Sequence, residues 1–116
     1  MALDMIGGPN WAKGYVDAPI IVNAKEKVFY KQPMFYALAH YSKFLLPDSI
    51  RIHHTLGSKL DNFEATSFVR PDGGTVVIAL NMNDLDVQLT INDFVSKQTV
   101  SHLVKPRSLQ TFIFYE

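Results

Sequence analysis

The residue types that most often bind metals or act as nucleophiles are few in this chain of 116 residues. It has no cysteine, which excludes a thiolate nucleophile, a cysteine-ligated metal and a disulfide framework. His53 and His54 are adjacent, and neighbouring side chains on a strand point to opposite faces, so the two cannot share a metal. His40 and His102 lie far apart in sequence, and there is no H-x-x-x-H, G-x-S-x-G or phosphate-loop pattern. We therefore expect neither a metal site nor a cofactor.

Carboxylates are the remaining groups that could act as acids, bases or nucleophiles. Of the three glutamates, Glu26 lies in the charged stretch AKEK, Glu64 alternates outward from a predicted strand, and Glu116 is the last residue. The eight aspartates fall at predicted turns or strand ends, where this residue is common. From the residues alone, solvated turns and strand edges explain these positions.

Composition is that of a globular protein, with 47% hydrophobic and 19% charged residues. The length suits one domain, or one small domain with a piece of another. Eleven basic and eleven acidic residues give a formal charge of zero, which offers no electrostatic argument for binding nucleic acid or an anionic membrane. The first residues, MALDMIGGPNW, are too short and too broken for a signal peptide, so we expect no targeting signal.

Residues 1–47 have the pattern of one strand followed by one helix. The apolar run 18–22 fits a strand buried on both faces, as in parallel sheets. Pro33 suits the first turn of a helix over about 33–46, and Pro47 ends it. Apolar residues recur at helical spacing, and we place the aromatic residues of the stretch 30–44 on the same helix, namely Tyr30, Phe35, Tyr36, Tyr41 and Phe44. A strand of this kind needs a parallel partner, and we find none in the sequence.

Short strands separated by turns dominate residues 48–116. Six are predicted, at about 50–56, 63–70, 74–81, 86–92, 98–104 and 108–115. The stretch RPDGG (70–74) predicts a hairpin turn between the second and third. The third and last strands are apolar on both faces, so both should be central in the sheet or covered on the second face. Regular antiparallel strands at this spacing are typical of a β-sandwich.

Three stretches, GGPNW (7–11), VDAPIIV (16–22) and FYKQPMFY (29–36), strongly resemble the C-terminal part of glucosylceramidases, which are retaining acid β-glucosidases. The resemblance continues through HYSKF, RPDGGTVVIALN and VQLTIND, and covers essentially the whole chain. It implies a (β/α)8 barrel beside a β-sandwich. The expected fold is thus an α+β fragment, in which 1–47 form the last strand–helix unit of the barrel with its preceding loop. Residues 48–116 form an antiparallel sandwich sheet of about six strands.

The resemblance implies no catalytic residue in this chain. Retaining glycosidases use two carboxyl groups ~5–5.5 Å apart, and in this family both are glutamates on earlier barrel strands. None of Glu26, Glu64 and Glu116 lies in a matching motif. Asn23 stands where family members can carry an aspartate, so no charge role is transferred to it. We expect a non-catalytic portion that is inactive alone.

The resemblance also implies that the loop after GGPNW approaches the active-site mouth. Trp11, Gly14 and Tyr15 are the candidate substrate-rim residues. Vertebrate members have Asn and Phe at positions 14 and 15, so Tyr15 keeps an aromatic face for a sugar or lipid and Gly14 keeps no side chain. A ring that pins the loop by packing is the alternative interpretation for Trp11 and Tyr15.

For the parent family, the resemblance implies lysosomal hydrolysis of glucosylceramide, aided by a lipid membrane and an activator protein. The partner of this chain would be the remainder of the barrel, and exposed apolar residues on the 33–46 helix could also drive self-association. A different hypothesis is an autonomous β-sandwich that binds carbohydrate or lipid through exposed aromatics, with Phe63, Phe68 and Phe94 as candidates.

Overall fold

A computed structural model describes residues 1–115, which divide into two compact units, one ending at Tyr41 and the other beginning at Ser42. One helix and nine strands are present in these residues. In chain order they are β1 Ala2–Asp4, β2 Ile20–Asn23, β3 Val28–Lys31, α1 Pro33–Phe44, β4 Ile50–Ile52, β5 Phe63–Val69, β6 Gly74–Asn81, β7 Val87–Asn92, β8 Thr99–Val104 and β9 Ser108–Tyr115. In the part of the chain that is described, the helix is too short to span a membrane.

The first unit contains a three-stranded sheet in the order β1-β2-β3. β1 runs parallel to β2, with Ala2 opposite Ile20 and Asp4 opposite Val22. The expectation that the chain offers no parallel partner was therefore wrong. β1 has only three residues, too few for its apolar pattern to be recognised from sequence. Two adjacent parallel strands at the start of the chain are the arrangement of a barrel segment.

The helix begins later than the aromatic stretch suggested. Tyr30 lies in β3, which pairs antiparallel with β2, and is not on the helix. The residue before a proline disfavours helical backbone angles, so Gln32 separates the strand from a helix whose first residue is Pro33. The helix ends at Phe44 with Lys43 in its last turn, three residues before Pro47.

The second unit contains the six predicted strands, five of them within about one residue of the predicted bounds, whereas the first, predicted at about 50–56, ends at Ile52. They form two sheets, one of four strands in the order β4-β5-β6-β9 and one made of the β7–β8 hairpin, and every pairing in them is antiparallel. Along β7, half-buried and exposed residues alternate as the sequence predicted. In the four-stranded sheet β6 pairs with β9. The chain therefore leaves this sheet after β6, forms the β7–β8 hairpin and re-enters the sheet at β9.

The core of the second unit lies along β6. Val76, Val77, Ile78 and Ala79 are buried, and Val104 of β8 is buried as well. This confirms a central position for the third predicted strand. The last predicted strand, β9, does not have the central position of β6. In the described residues it lies at the edge of its sheet and is half-buried from Ser108 to Phe114. An edge strand that is apolar on both faces leaves unpaired backbone groups beside apolar side chains.

The turn between β5 and β6 has the predicted hairpin chemistry. The Arg70 N–H donates to the Gly74 carbonyl at 2.8 Å, and Gly73 has a φ of 83°, which favours glycine. The Arg70 guanidinium forms an ion pair with Asp72, whose Oδ1 also accepts the Gly74 N–H at 3.2 Å. The Tyr115 hydroxyl donates to Asp72 Oδ2 at 3.3 Å, which ties the end of β9 to this turn.

Candidate functional site

The loop between β1 and β2 carries the residues proposed from sequence as a substrate rim. It starts at the carboxyl end of β1 in a tight turn built around Asp4. Asp4 Oδ1 accepts the Ile6 N–H at 3.0 Å and the Gly8 N–H at 2.7 Å. The Asp4 N–H in turn donates to the Gly8 carbonyl at 2.7 Å. One carboxylate therefore orders the first residues of the loop.

Asn10 orders the middle of the same loop. Its Oδ1 accepts the Ala12 N–H at 3.1 Å, and its Nδ2 donates to the Gly14 carbonyl. The two ends of the loop also meet, because a Cβ on Gly7 would lie 3.1 Å from the Val16 carbonyl oxygen. Gly7 has a φ of 80°, so both backbone angle and space favour glycine there. The result is a closed, hydrogen-bonded loop.

This ordered loop presents its two aromatic rings to solvent. Trp11 is 95% exposed and Tyr15 is 71% exposed. Neither ring is therefore buried against its own loop, and packing against another part of a larger protein stays the alternative prediction for both. A Cβ on Gly14 would meet no heavy atom within 4 Å, so there is open space beside it. Two exposed rings on a closed loop can offer flat apolar faces to a sugar or an acyl chain.

The carboxyl end of β2 lies at the same sheet edge as this loop, because β1 and β2 are parallel. Asn23 and Glu26 pair there: Asn23 Nδ2 donates to Glu26 Oε2 at 3.1 Å, and the Glu26 N–H donates to Asn23 Oδ1 at 3.2 Å. Glu26 thus closes its own turn, as expected for a solvated turn. Asp17 lies three residues before β2, and its Oδ1 accepts the Ala18 N–H at 2.8 Å.

The other residues weighed from sequence lie in the second unit. Glu64 is exposed on β5, and Glu116 lies outside the described residues. His54 is half-buried with Nδ1 at 3.5 Å from Ser67 Oγ, whereas its neighbour His53 is exposed. Across residues 1–115, no group of three or more His, Asp or Glu side chains is placed to hold a metal ion.

Three carboxyls in turns of the second unit are held in their ionised form. The hydrogen bond from Arg70 lowers the pKa of Asp72, and the hydrogen bond from Arg107 lowers the pKa of Asp84. The Val95 backbone N–H does the same for the pKa of Asp93. Hydrogen bonding to the charged form favours that form. These carboxyls support loops and hairpins of the sandwich.

Sequence reasoning missed the roles of Asp4 and Asn10. Asp4 was placed among ordinary turn residues and Asn10 was noted only as part of GGPNW, although each accepts a backbone N–H two positions further along the chain. That geometry is the Asx-turn, in which Asp and Asn are common, and these residue types were the one signal that the sequence offered for both roles.

Two family models match the chain. The glycosyl hydrolase family 30 TIM-barrel domain matches residues 1–45, and the glycosyl hydrolase family 30 beta sandwich domain matches residues 48–112. Together these matches extend over both units and leave only two residues between them.

Among curated proteins, the chain is similar to glucosylceramidases. It is 47% identical over 93 residues to mouse lysosomal acid glucosylceramidase, a match that covers 80% of this chain and 18% of the mouse protein. It is 36% identical over 119 residues to a Caenorhabditis elegans protein named as a candidate glucosylceramidase. This match covers 100% of this chain and 23% of the Caenorhabditis elegans protein. The chain thus spans about a fifth of the length of these relatives and matches their C-terminal region.

Two solved structures share the fold. An endo-β1,6-glucanase matches 99% of this chain with a TM-score of 0.86 at 22% identity, over 26% of its own length. SrfJ from Salmonella typhimurium matches 99% with a TM-score of 0.88 at 21% identity, over 25% of its own length. At this identity the likeness concerns architecture alone.

Proposed function

The chain belongs to glycosyl hydrolase family 30, and we propose that it is the C-terminal, non-catalytic portion of a glucosylceramidase. The observation that carries this proposal is the 47% identity to the mouse enzyme over 80% of the chain. The parent protein would hydrolyse glucosylceramide to glucose and ceramide. The alternative of an autonomous sugar- or lipid-binding module has no comparable support, since the similar curated proteins are glucosylceramidases. The three aromatic residues proposed for such a module also differ in exposure: Phe63 and Phe68 are half-buried, and only Phe94 is exposed.

We assign residues 1–47 to the last strand–helix unit of the barrel with its preceding loop, and residues 48–116 to the sandwich. The parallel pairing of β1 with β2 supports the first assignment and adds one further barrel strand to it. The two antiparallel sheets that follow α1 support the second. This portion would complete the barrel and dock the sandwich.

Trp11 and Tyr15 would contribute to the rim of the substrate site, with Gly14 leaving room between them. Their loop follows a parallel strand at its carboxyl end, the end where TIM-barrel active sites are built. Both rings are exposed on a loop closed by Asp4 and Asn10. Such rings would bind the apolar face of the glucosyl group or the start of a lipid chain.

The remainder of the barrel is the partner that would cover the exposed apolar side chains of α1, on which no residue is buried. In its absence the same side chains would favour self-association through the 33–46 helix. For the parent we propose lysosomal action at a lipid membrane with an activator protein, following its similarity to the mouse lysosomal enzyme.

Assay of the purified chain on a chromogenic β-glucoside tests the non-catalytic assignment. We expect no turnover above buffer, because a retaining mechanism needs a nucleophile and an acid/base carboxyl that this chain does not provide. Hydrolysis that a mechanism-based cyclitol inhibitor abolishes would overturn the assignment.

A further inference from the structure

The turn between β5 and β6 contains the only Asp-Gly peptide of the sequence, Asp72–Gly73, and there is no Asn-Gly. An aspartate followed by glycine is prone to rearrange, because glycine has no side chain to hinder attack of its backbone nitrogen on the preceding Cγ. Gly73 has a φ of 83°, a backbone angle that other residues rarely adopt. The turn therefore requires the residue that makes Asp72 reactive.

Both oxygens of the Asp72 carboxylate are held by hydrogen bonds. Oδ1 accepts from Arg70 Nε at 3.0 Å and from the Gly74 N–H at 3.2 Å. Oδ2 accepts from Arg70 Nη2 and from the Tyr115 hydroxyl at 3.3 Å. A carboxylate has about four acceptor sites, so these donors engage all of them. The carboxyl group cannot turn toward the backbone without breaking several of these bonds.

The attacking nitrogen and the guanidinium are held as well. The Gly73 N–H donates to the Arg70 carbonyl at 3.1 Å. The Arg70 side chain is only 12% exposed, and its Nη1 donates to the Phe44 carbonyl at 3.4 Å. Asp72 and Gly73 are themselves exposed to water. Hydrogen bonding from Arg70, and not burial, is therefore what restrains the two reacting groups.

We propose that Asp72–Gly73 is a site of spontaneous isoaspartate formation, and that Arg70 suppresses this reaction in the folded chain. The Gly73 nitrogen forms a bond to Asp72 Cγ, while its proton and a hydroxyl of the carboxyl group leave as water, which gives a cyclic imide. A second water opens the ring at the α-carbonyl, so the chain then runs through Cγ and the former α-carbonyl becomes a free carboxylate. No oxidant or reductant takes part, and the mass is unchanged.

The charge of Asp72 works in the same direction. The protonated carboxyl is the form that loses water, and the hydrogen bond from Arg70 lowers the pKa of Asp72, so the ionised form persists into acid. Rearrangement would lengthen the backbone of the turn by one carbon, which the 2.8 Å hydrogen bond from the Arg70 N–H to the Gly74 carbonyl does not allow for. The proposal concerns the second unit alone, so it stands or falls separately from the proposed function.

Ageing of Arg70 variants in mildly acidic buffer tests the proposal. An isoaspartyl methyltransferase counts the product, and peptide mapping locates it. We expect Arg70→Ala to raise the rate at Asp72 about tenfold, because charge-assisted hydrogen bonds are lost. Arg70→Lys should raise it less, because an ammonium keeps the charge without the guanidinium fork. The matched control is Arg107→Ala, which should leave the rate unchanged, since its partner Asp84 is followed by leucine.

Two further measurements keep the test valid if Arg70→Ala does not fold. The unsubstituted chain should form isoaspartate at Asp72 faster in urea than in its folded state. Tyr115→Phe removes one donor at an exposed position and should raise the rate about twofold. Equal rates for the folded and the urea-unfolded chain would overturn the proposal. A folded Arg70→Lys that ages no faster than Arg107→Ala would overturn it as well.

Discussion

Asn81 is the residue on which the two sheets of the second unit most depend. It is fully buried, and its Nδ2 donates to the carbonyls of Leu85, Val104 and Lys105 at 2.9, 3.0 and 3.1 Å. Its Oδ1 accepts the Asn83 N–H at 3.0 Å. One side chain thus fixes the point where the chain leaves β6 and the point where it returns from β8.

Replacing Asn81 with Ala should lower the free energy of unfolding by about 2–4 kcal/mol, because buried carbonyls lose their donor. Urea titration followed by circular dichroism measures this. Asn92→Ala, at an exposed position on β7, is the control and should cost less than about 0.5 kcal/mol. Equal costs for the two changes would contradict the role of Asn81.

Acid should weaken the second unit through Asp72, Asp84 and Asp93. Each has a folded-state pKa below the ordinary value of 3.8. A lowered pKa gives stability that is fully present above the unfolded value and is lost as the pH falls through the folded one. The contribution of these three carboxyls to the free energy of unfolding should therefore be constant above about pH 5 and decrease below 3.8.

Asp72→Asn tests the part of this dependence that comes from the Arg70 pair. The variant should be less stable than the unsubstituted chain at neutral pH. The difference in free energy of unfolding should shrink below pH 3.8, as Asp72 of the unsubstituted chain becomes protonated. Unfolding titrations at a series of pH values measure it. A constant difference down to pH 2 would refute an electrostatic origin.

At the scale of elements, the strands with a regular alternation of residues were predicted from the sequence, and the shortest strands were not. β5, β6, β7 and β9 were predicted to within about a residue, because alternation and the RPDGG turn are local signals. β1 and β3 have only three and four residues, and each is defined by pairing with β2. The edge position of β9 follows from long-range pairing, which a local pattern does not encode.

The rim loop is an element whose order depends on Asp4. Asp4→Ala should release the N–H groups of Ile6 and Gly8, so Trp11 should move faster and its fluorescence anisotropy should fall. Asp4→Asn retains an acceptor oxygen and should preserve most of the anisotropy. Asp17 Oδ1 accepts the Ala18 N–H and the Gln32 side-chain amide and makes no hydrogen bond to the first residues of the loop, so Asp17→Ala is the control. Unchanged anisotropy in Asp4→Ala would show that the loop is ordered in another way.

The helix α1 carries the exposed apolar surface of its region. Tyr36 and Leu38 are both more than half exposed. If this surface drives self-association, Leu38→Gln should raise the monomer fraction in sedimentation velocity, whereas Lys43→Gln on the same helix should not. If the unsubstituted chain stays monomeric at high concentration, the self-association proposal is wrong, and the remainder of the barrel is left as the proposed partner.

At the scale of the whole molecule, we propose that this chain completes a family 30 enzyme whose catalytic acids lie elsewhere in that enzyme. The sequence could establish the family, because motifs such as GGPNW and FYKQPMFY are specific. It could not show which loop residues hold the rim, since Asp4 and Asn10 act through backbone geometry. The proposed function thus requires that this portion be joined to a barrel that carries the two catalytic carboxyls.

A chimeric enzyme provides the most direct test that this chain can serve as the C-terminal portion of a glucosylceramidase. This chain would replace the homologous C-terminal region of mouse lysosomal acid glucosylceramidase, and release of glucose from glucosylceramide would be assayed. We predict hydrolysis by the chimera, and none by this chain alone or by the mouse protein truncated at the junction. Hydrolysis by this chain alone, or a folded chimera without activity, would contradict the account.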